Sequence, residues 1–199
     1  MMKKYYFVAI LVVVCLCISV FVIKEMSLAN SVDERIFSID DTKILGIKID
    51  MQKEEVEKIL GQPKKVESNY EGAFGYVLTY YYEFGNICFE PIDIDKYAVS
   101  DIIIDKPKFI GPRGIRVNDK VETVLQKFPY NKNSSINTNR EKYVYGELGV
   151  NCGFITYDKK GNIASVIYRF GGGGFGTYTL WMEVNKNLIK SIKINVMNV

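Results

Sequence analysis

The sequence predicts an α+β protein: an N-terminal transmembrane helix, then two tandem units, each a short helix packed on an antiparallel sheet. Three observations carry this expectation. Residues Tyr5 to Ile23 form an unbroken apolar run. The motif Gly46-Ile47-Lys48-Ile49-Asp50 returns 68 positions later as Gly114-Ile115-Arg116-Val117-Asn118. Between and after these motifs, short stretches alternate apolar with polar residues, as half-buried strands do.

The apolar run has 19 residues, enough to cross a hydrocarbon core. Lys3 and Lys4 precede it and Lys24-Glu25 follow it, which places the start inside and the remainder outside. Two readings stay open. Cleavage after Ser27-Leu28-Ala29 would make the run a signal peptide; otherwise it is an uncleaved anchor. Signal cores typically span ~7–15 residues, so the greater length favours the anchor. Cys15 and Cys17 lie inside the run, preceded by Val14 and Leu16 rather than by the small residue that lipidation needs. The expected location is the cytoplasmic membrane, single-pass, with the C-terminal part extracytoplasmic, or secretion if the chain is cut. The expected domains are 1–29 (anchor or signal), 30–43 (stalk), 44–106 (unit one) and 107–199 (unit two with a C-terminal hairpin).

A composition of 48% hydrophobic and 25% charged residues is that of a folded chain. There is no histidine. Ser-His-Asp and Cys-His nucleophile systems and His-containing metal sites are therefore excluded, and neither enzymatic activity nor a cofactor or metal is expected. Of the net charge of +3, two charges fall in the first 29 residues. The near-neutral remainder is a poor match for nucleic acid. Cys88 and Cys152 stand 64 positions apart with no CxxC partner, which permits one disulfide but defines neither a redox motif nor a metal site.

Each unit begins with the Gly-Ile motif and continues into a short helix. In unit one, Val56, Ile59 and Leu60 share a face, and Gly61 and Pro63 stop the helix. In unit two, Val121, Val124, Leu125 and Phe128 share a face, Pro129 ends it, and Asp119 with Glu122 has capping-box spacing. The strands of unit one are read over 76–84, 86–90 and 99–104. Those of unit two are read over 142–145, 153–157 and 163–170, with a turn at Asp158 to Asn162. At an offset of 65, Asn86, Phe89, Asp93, Ser100 and Ile102 match Asn151, Phe154, Asp158, Ser165 and Ile167. A further hairpin, 177–184 with 188–196, follows, joined at Asn185-Lys186-Asn187. Asp105 to Pro112 is the linker, and the Asn/Ser-rich 130–140 is a loop.

Gly46-Ile47, Met51, Glu54-Glu55-Val56, Ile59-Leu60-Gly61 and Pro63, followed by antiparallel strands, resemble the SmpA/OmlA (BamE-like) domain and the tandem β-lactamase-inhibitory-protein-like fold. In unit two, Phe128-Pro129 replaces the Leu-Gly-x-Pro ending. The resemblance implies a non-catalytic protein-binding module of the bacterial cell envelope whose partner is another envelope or secreted protein. It also implies an alternative: a proteinaceous inhibitor or regulator of a secreted or cell-wall enzyme. It transfers no contact residues.

Alternation sorts the strands into faces. Tyr76, Leu78, Tyr80, Tyr82 and Phe84 are expected toward the helix, as are Tyr178, Leu180, Met182 and Val184. The other side presents Thr79-x-Tyr81-x-Glu83 and Thr179-x-Trp181-x-Glu183, one pattern twice. Large rings on the polar side of a sheet resemble interface anchors. Thr79, Tyr81, Glu83, Thr179, Trp181 and Glu183 are therefore the candidate protein-binding residues.

Three further motifs dissolve on inspection. Gly171-x-Gly173-x-x-Gly176 spells a dinucleotide fingerprint, but no helix follows to receive phosphate. Asp93, Asp95 and Asp101 lack the glycine and distal glutamate of a calcium loop. Glu54-Glu55 sits in an amphipathic helix as solvated charge.

Overall fold

The computed structural model describes residues 37–72, 75–129, 137–138, 140–146, 151–171 and 176–197, all within one compact unit, 35–199. The described residues include two α-helices, α1 (Lys53–Leu60) and α2 (Val121–Leu125). The strands are β1 (Lys65–Tyr70), β2 (Tyr76–Tyr81), β3 (Gly85–Asp93), β4 (Lys96–Ile104) and β5 (Asn137–Thr138). They continue with β6 (Glu141–Tyr145), β7 (Cys152–Tyr157), β8 (Ile163–Gly171), β9 (Thr177–Asn185) and β10 (Leu188–Met197).

All ten strands form one sheet in the order β1-β2-β3-β4-β10-β9-β8-β7-β6-β5. Each neighbouring pair is antiparallel. Two meanders, β1–β4 and β5–β10, meet where Asp101 to Ile104 pair with Asn195 to Ile192. Ile87, Phe89, Ile102 and Ile104 from the first meander share a single core with Leu180, Met182, Ile192 and Ile194 from the second. Val56, Val121, Val124, Leu125 and Phe128 from the helical segments complete it.

This sheet corrects the expected fold class. The described residues are mostly β, with one sheet and one main core, not two helix-plus-sheet repeats side by side. The physical reason lies in register. Phe89 and Ile102 lie in the main core, whereas their supposed equivalents Phe154 and Ile167 lie in a second cluster with Tyr143 and Cys152. The face a residue takes is set strand by strand through pairing register, so a match of letters at offset 65 is not a match of structure.

The Gly-Ile motif does recur in backbone. Gly46 and Gly114 sit at φ +85° and +72°, where glycine meets no steric penalty. Asp50 and Asn118 follow at +66° and +75°. The first segment bonds to β4: Asp50 N–H donates to Val99 O, and Val99 N–H to Met51 O. The second bonds to β10: Asn118 N–H donates to Ile189 O, and Ile189 N–H to Asp119 O. The two segments are thus clasps on the two central strands of one sheet. α2 does not use the expected capping box: its N-cap is Lys120, and the Asp119 carboxylate accepts the Arg116 N–H at 2.8 Å.

A buried ion pair ties the chain before the first clasp to the second. Arg113 Nε donates to Asp41 Oδ1 at 2.6 Å, one of its amino groups to Asp41 Oδ2 at 2.9 Å, and the other to Lys127 O at 2.9 Å. Removing one partner of such a pair costs about 3–5 kcal/mol, because the other charge stays buried.

The membrane expectation is also corrected. Among the described residues no helix is long and apolar enough to cross a membrane. The longest described helix, α1, has eight residues, about 12 Å at 1.5 Å per residue. The apolar run 5–23 and the Ser27-Leu28-Ala29 site lie outside the described residues. The single-pass, extracytoplasmic reading therefore has no structural support and is withdrawn.

One core implies one cooperative transition. Ile104→Ala and Ile194→Ala should each lower stability by about 2–4 kcal/mol in urea titrations. Amide protection should then fall in both meanders together; protection that persists in one meander alone would contradict the shared core.

Candidate functional site

In an antiparallel ladder, directly opposed residues project from the same face. The strand registers therefore define two adjacent rows on the face away from the main core. The first runs Tyr81, Asn86, Ile103, Lys193, Trp181, Ile167, Phe154, Tyr143 across β2-β3-β4-β10-β9-β8-β7-β6. The second runs Glu67, Thr79, Cys88, Asp101, Asn195, Thr179, Arg169, Cys152, starting at β1.

The expected binding residues fall unevenly on this face. Tyr81 and Trp181 share the first row, four strand steps or about 19 Å apart. Thr79 and Thr179 share the second row. Glu183 opposes Ser191 and Ser165 one position further, and binds Lys190 at 2.7 Å. Glu83 does not belong: β2 ends at Tyr81, and Glu83 sits in the following turn, 3.3 Å from Lys64 and 2.8 Å from Lys108. Tyr76, expected toward the helix, is exposed at the strand end, while Val77 is buried.

Availability also differs. The Tyr81 hydroxyl donates to Glu67 Oε2 at 2.6 Å, and that bond raises its pKa. Trp181 is 46% exposed, although Thr179, Leu180 and Met182 around it are buried. Beyond Trp181, the face closes into the cluster of Tyr143, Cys152, Phe154 and Ile167. The Arg169 guanidinium lies 4.9 Å over the Phe154 ring.

The polar centre of the second row is not marked by any motif in the sequence. Lys193 Nζ stands 2.6 Å from Asp101 Oδ1, as an ion pair rather than an aligned hydrogen bond. Asn195 Oδ1, Thr179 Oγ1 and Arg169 Nε are buried with no hydrogen-bond partner among the described residues. The alternation that sorted β9 would have turned Arg169 and Asn195 to this face had it been extended to β8 and β10. Nothing in the sequence says that they adjoin.

Burial, then the nearby Asp101 carboxylate, pushes the Cys88 thiol pKa up, which disfavours the thiolate. Cys88 on β3 and Cys152 on β7 are not joined by a disulfide: they stand five strand steps or about 24 Å apart, far beyond its reach. Among the described residues no group of three or more His, Cys, Asp or Glu could hold a metal. A cavity of about 520 Å³ opens between the β7–β8 and β9–β10 turns. Its carboxylate, Asp158, is occupied by its own turn, accepting from the Lys160 and Asn162 N–H groups and from Asn162 Nδ2.

Comparison with protein-family models, curated proteins and solved structures finds no match to this chain.

The same region carries a pH signature. Burial, then repulsion from Asp101, raises the Glu90 pKa above its ordinary value. An acid whose pKa is raised by folding binds more protons folded than unfolded, so it loses stability as pH climbs from about 4.5 through the folded value. Glu90→Gln should therefore raise the melting temperature at pH 7, with the gain shrinking below about pH 4.5. Thermal melts across pH check this; an equal gain at every pH would refute the linkage.

Proposed function

We propose that this chain is a protein-binding module that docks a partner on the sheet face opposite its main core, with Trp181 as anchor. One observation carries the reading: a tryptophan stands 46% exposed on β9, a central strand, among buried neighbours. A large exposed ring on a rigid strand offers contact area at little entropic cost, and such rings dominate interface energetics. Tyr81, on the same row, marks the outer reach of the surface. The resemblance carried by Gly46 to Pro63 supports a non-catalytic role.

A photo-crosslinking residue placed at position 181 tests the reading in cells that make the protein. A discrete protein adduct is expected there and not at Lys58, which is exposed on α1. Once that partner is purified, Trp181→Ala should weaken binding by about 2 kcal/mol, roughly thirtyfold, with little change in melting temperature. Unchanged affinity, or no adduct at position 181, would refute the proposal.

A further inference from the structure

We infer that Arg169, Thr179 and Asn195 form a recognition site for a carboxylate on an acidic peptide segment of the docked partner. The inference rests on the docking reading above and specifies its chemistry. The three residues are direct cross-strand neighbours: Arg169 opposes Thr179, and Thr179 opposes Asn195. Each has a buried side-chain polar atom without a hydrogen-bond partner among the described residues. Buried polar groups are seldom left unpaired, and three in one row point to one shared ligand group. Thr179 is only 3% exposed, so its hydroxyl meets a new partner only when a docking group displaces the side chains above it.

Charge selects the ligand. The two negative groups in this row, Glu67 and Asp101, are already paired with Lys65 and Lys193. The cross-strand neighbours of Arg169, Cys152 and Thr179, bring no carboxylate. With one face of the guanidinium on Phe154, its N–H donors lie in the plane, in the fork geometry that suits a carboxylate. The Thr179 hydroxyl can add a second donor. The Asn195 amide, turned so that its nitrogen takes the buried position, adds a third; the two amide orientations are interchangeable in shape. Trp181, one row away, excludes water from the contact.

Trp181 is the only tryptophan of the chain, so its fluorescence reports on this face directly. The full-length protein is titrated with pentaglutamate, pentaglutamine and an oligogalacturonate. A saturable fluorescence change is expected with pentaglutamate and none with pentaglutamine. Arg169→Gln should weaken that binding at least tenfold and Thr179→Val at least fivefold. Thr179→Val should also melt at the wild-type temperature or above it, because it removes an unpaired buried hydroxyl. The inference is overturned by any of four results: no saturable response to pentaglutamate, an equal response to pentaglutamine, tighter binding of the sugar acid, or a markedly lower melting temperature for Thr179→Val. A crosslinked partner at position 181 without a pentaglutamate response would sink this inference and leave docking intact. A pentaglutamate response without a crosslinked partner would do the reverse.

Discussion

The pairing of β4 with β10 is the constraint on which the rest of the structure depends. It is the one junction in the sheet whose strands are not neighbours in the chain. Four residue pairs make it, Asp101 to Ile104 against Asn195 to Ile192. Ile102, Ile104, Ile192 and Ile194 are fully buried there. Without it, two meanders would each expose an apolar edge. With it, their inner faces fuse into one core. The contact waits for the last strand of the chain, so this is a high-contact-order fold held together late.

The clasps explain why the junction is dry on one side. Each Gly-Ile segment bonds to a central strand, and its helix lays Val56 or Val124 on the core. Neither helix would be stable alone at such a length. Tyr178 on β9 donates to Asp50 of the first clasp at 3.2 Å, so the second meander also holds the first one's cover. No clasp segment contributes to the cluster on the other face. Covering one face so thoroughly leaves the second as the place where polar rows and an exposed ring can persist.

Much of the strand pattern was legible because alternation is a local signal. β2 to β4 and β6 to β10 fall within a few residues of the stretches read from it. β1 escaped because Lys65 to Tyr70 is exposed along nearly its whole length and shows no apolar period. Asp101 follows the bulge beside Phe89 and Val99, which breaks the period of β4 locally. At offset 68 the Gly-Ile backbone recurs, whereas at offset 65 only the letters do, since Ile102 and Ile167 look to opposite faces. At the candidate site, Trp181 and Thr179 were legible from β9 alone. Arg169 and Asn195 were not, because they enter only through the register of β8 and β10 against β9.

Local chemistry, which a sequence carries in full, determined the turn glycines, the helix stop at Gly61, the inward set Tyr178 to Val184 and the absence of histidine chemistry. Tertiary structure alone decided that two loop–helix segments serve one sheet. It also set Cys88 and Cys152 far apart and drew three unpaired polar groups into one line. The reason is that strand order and register are settled by long-range burial, and a one-residue change in either exchanges the two faces.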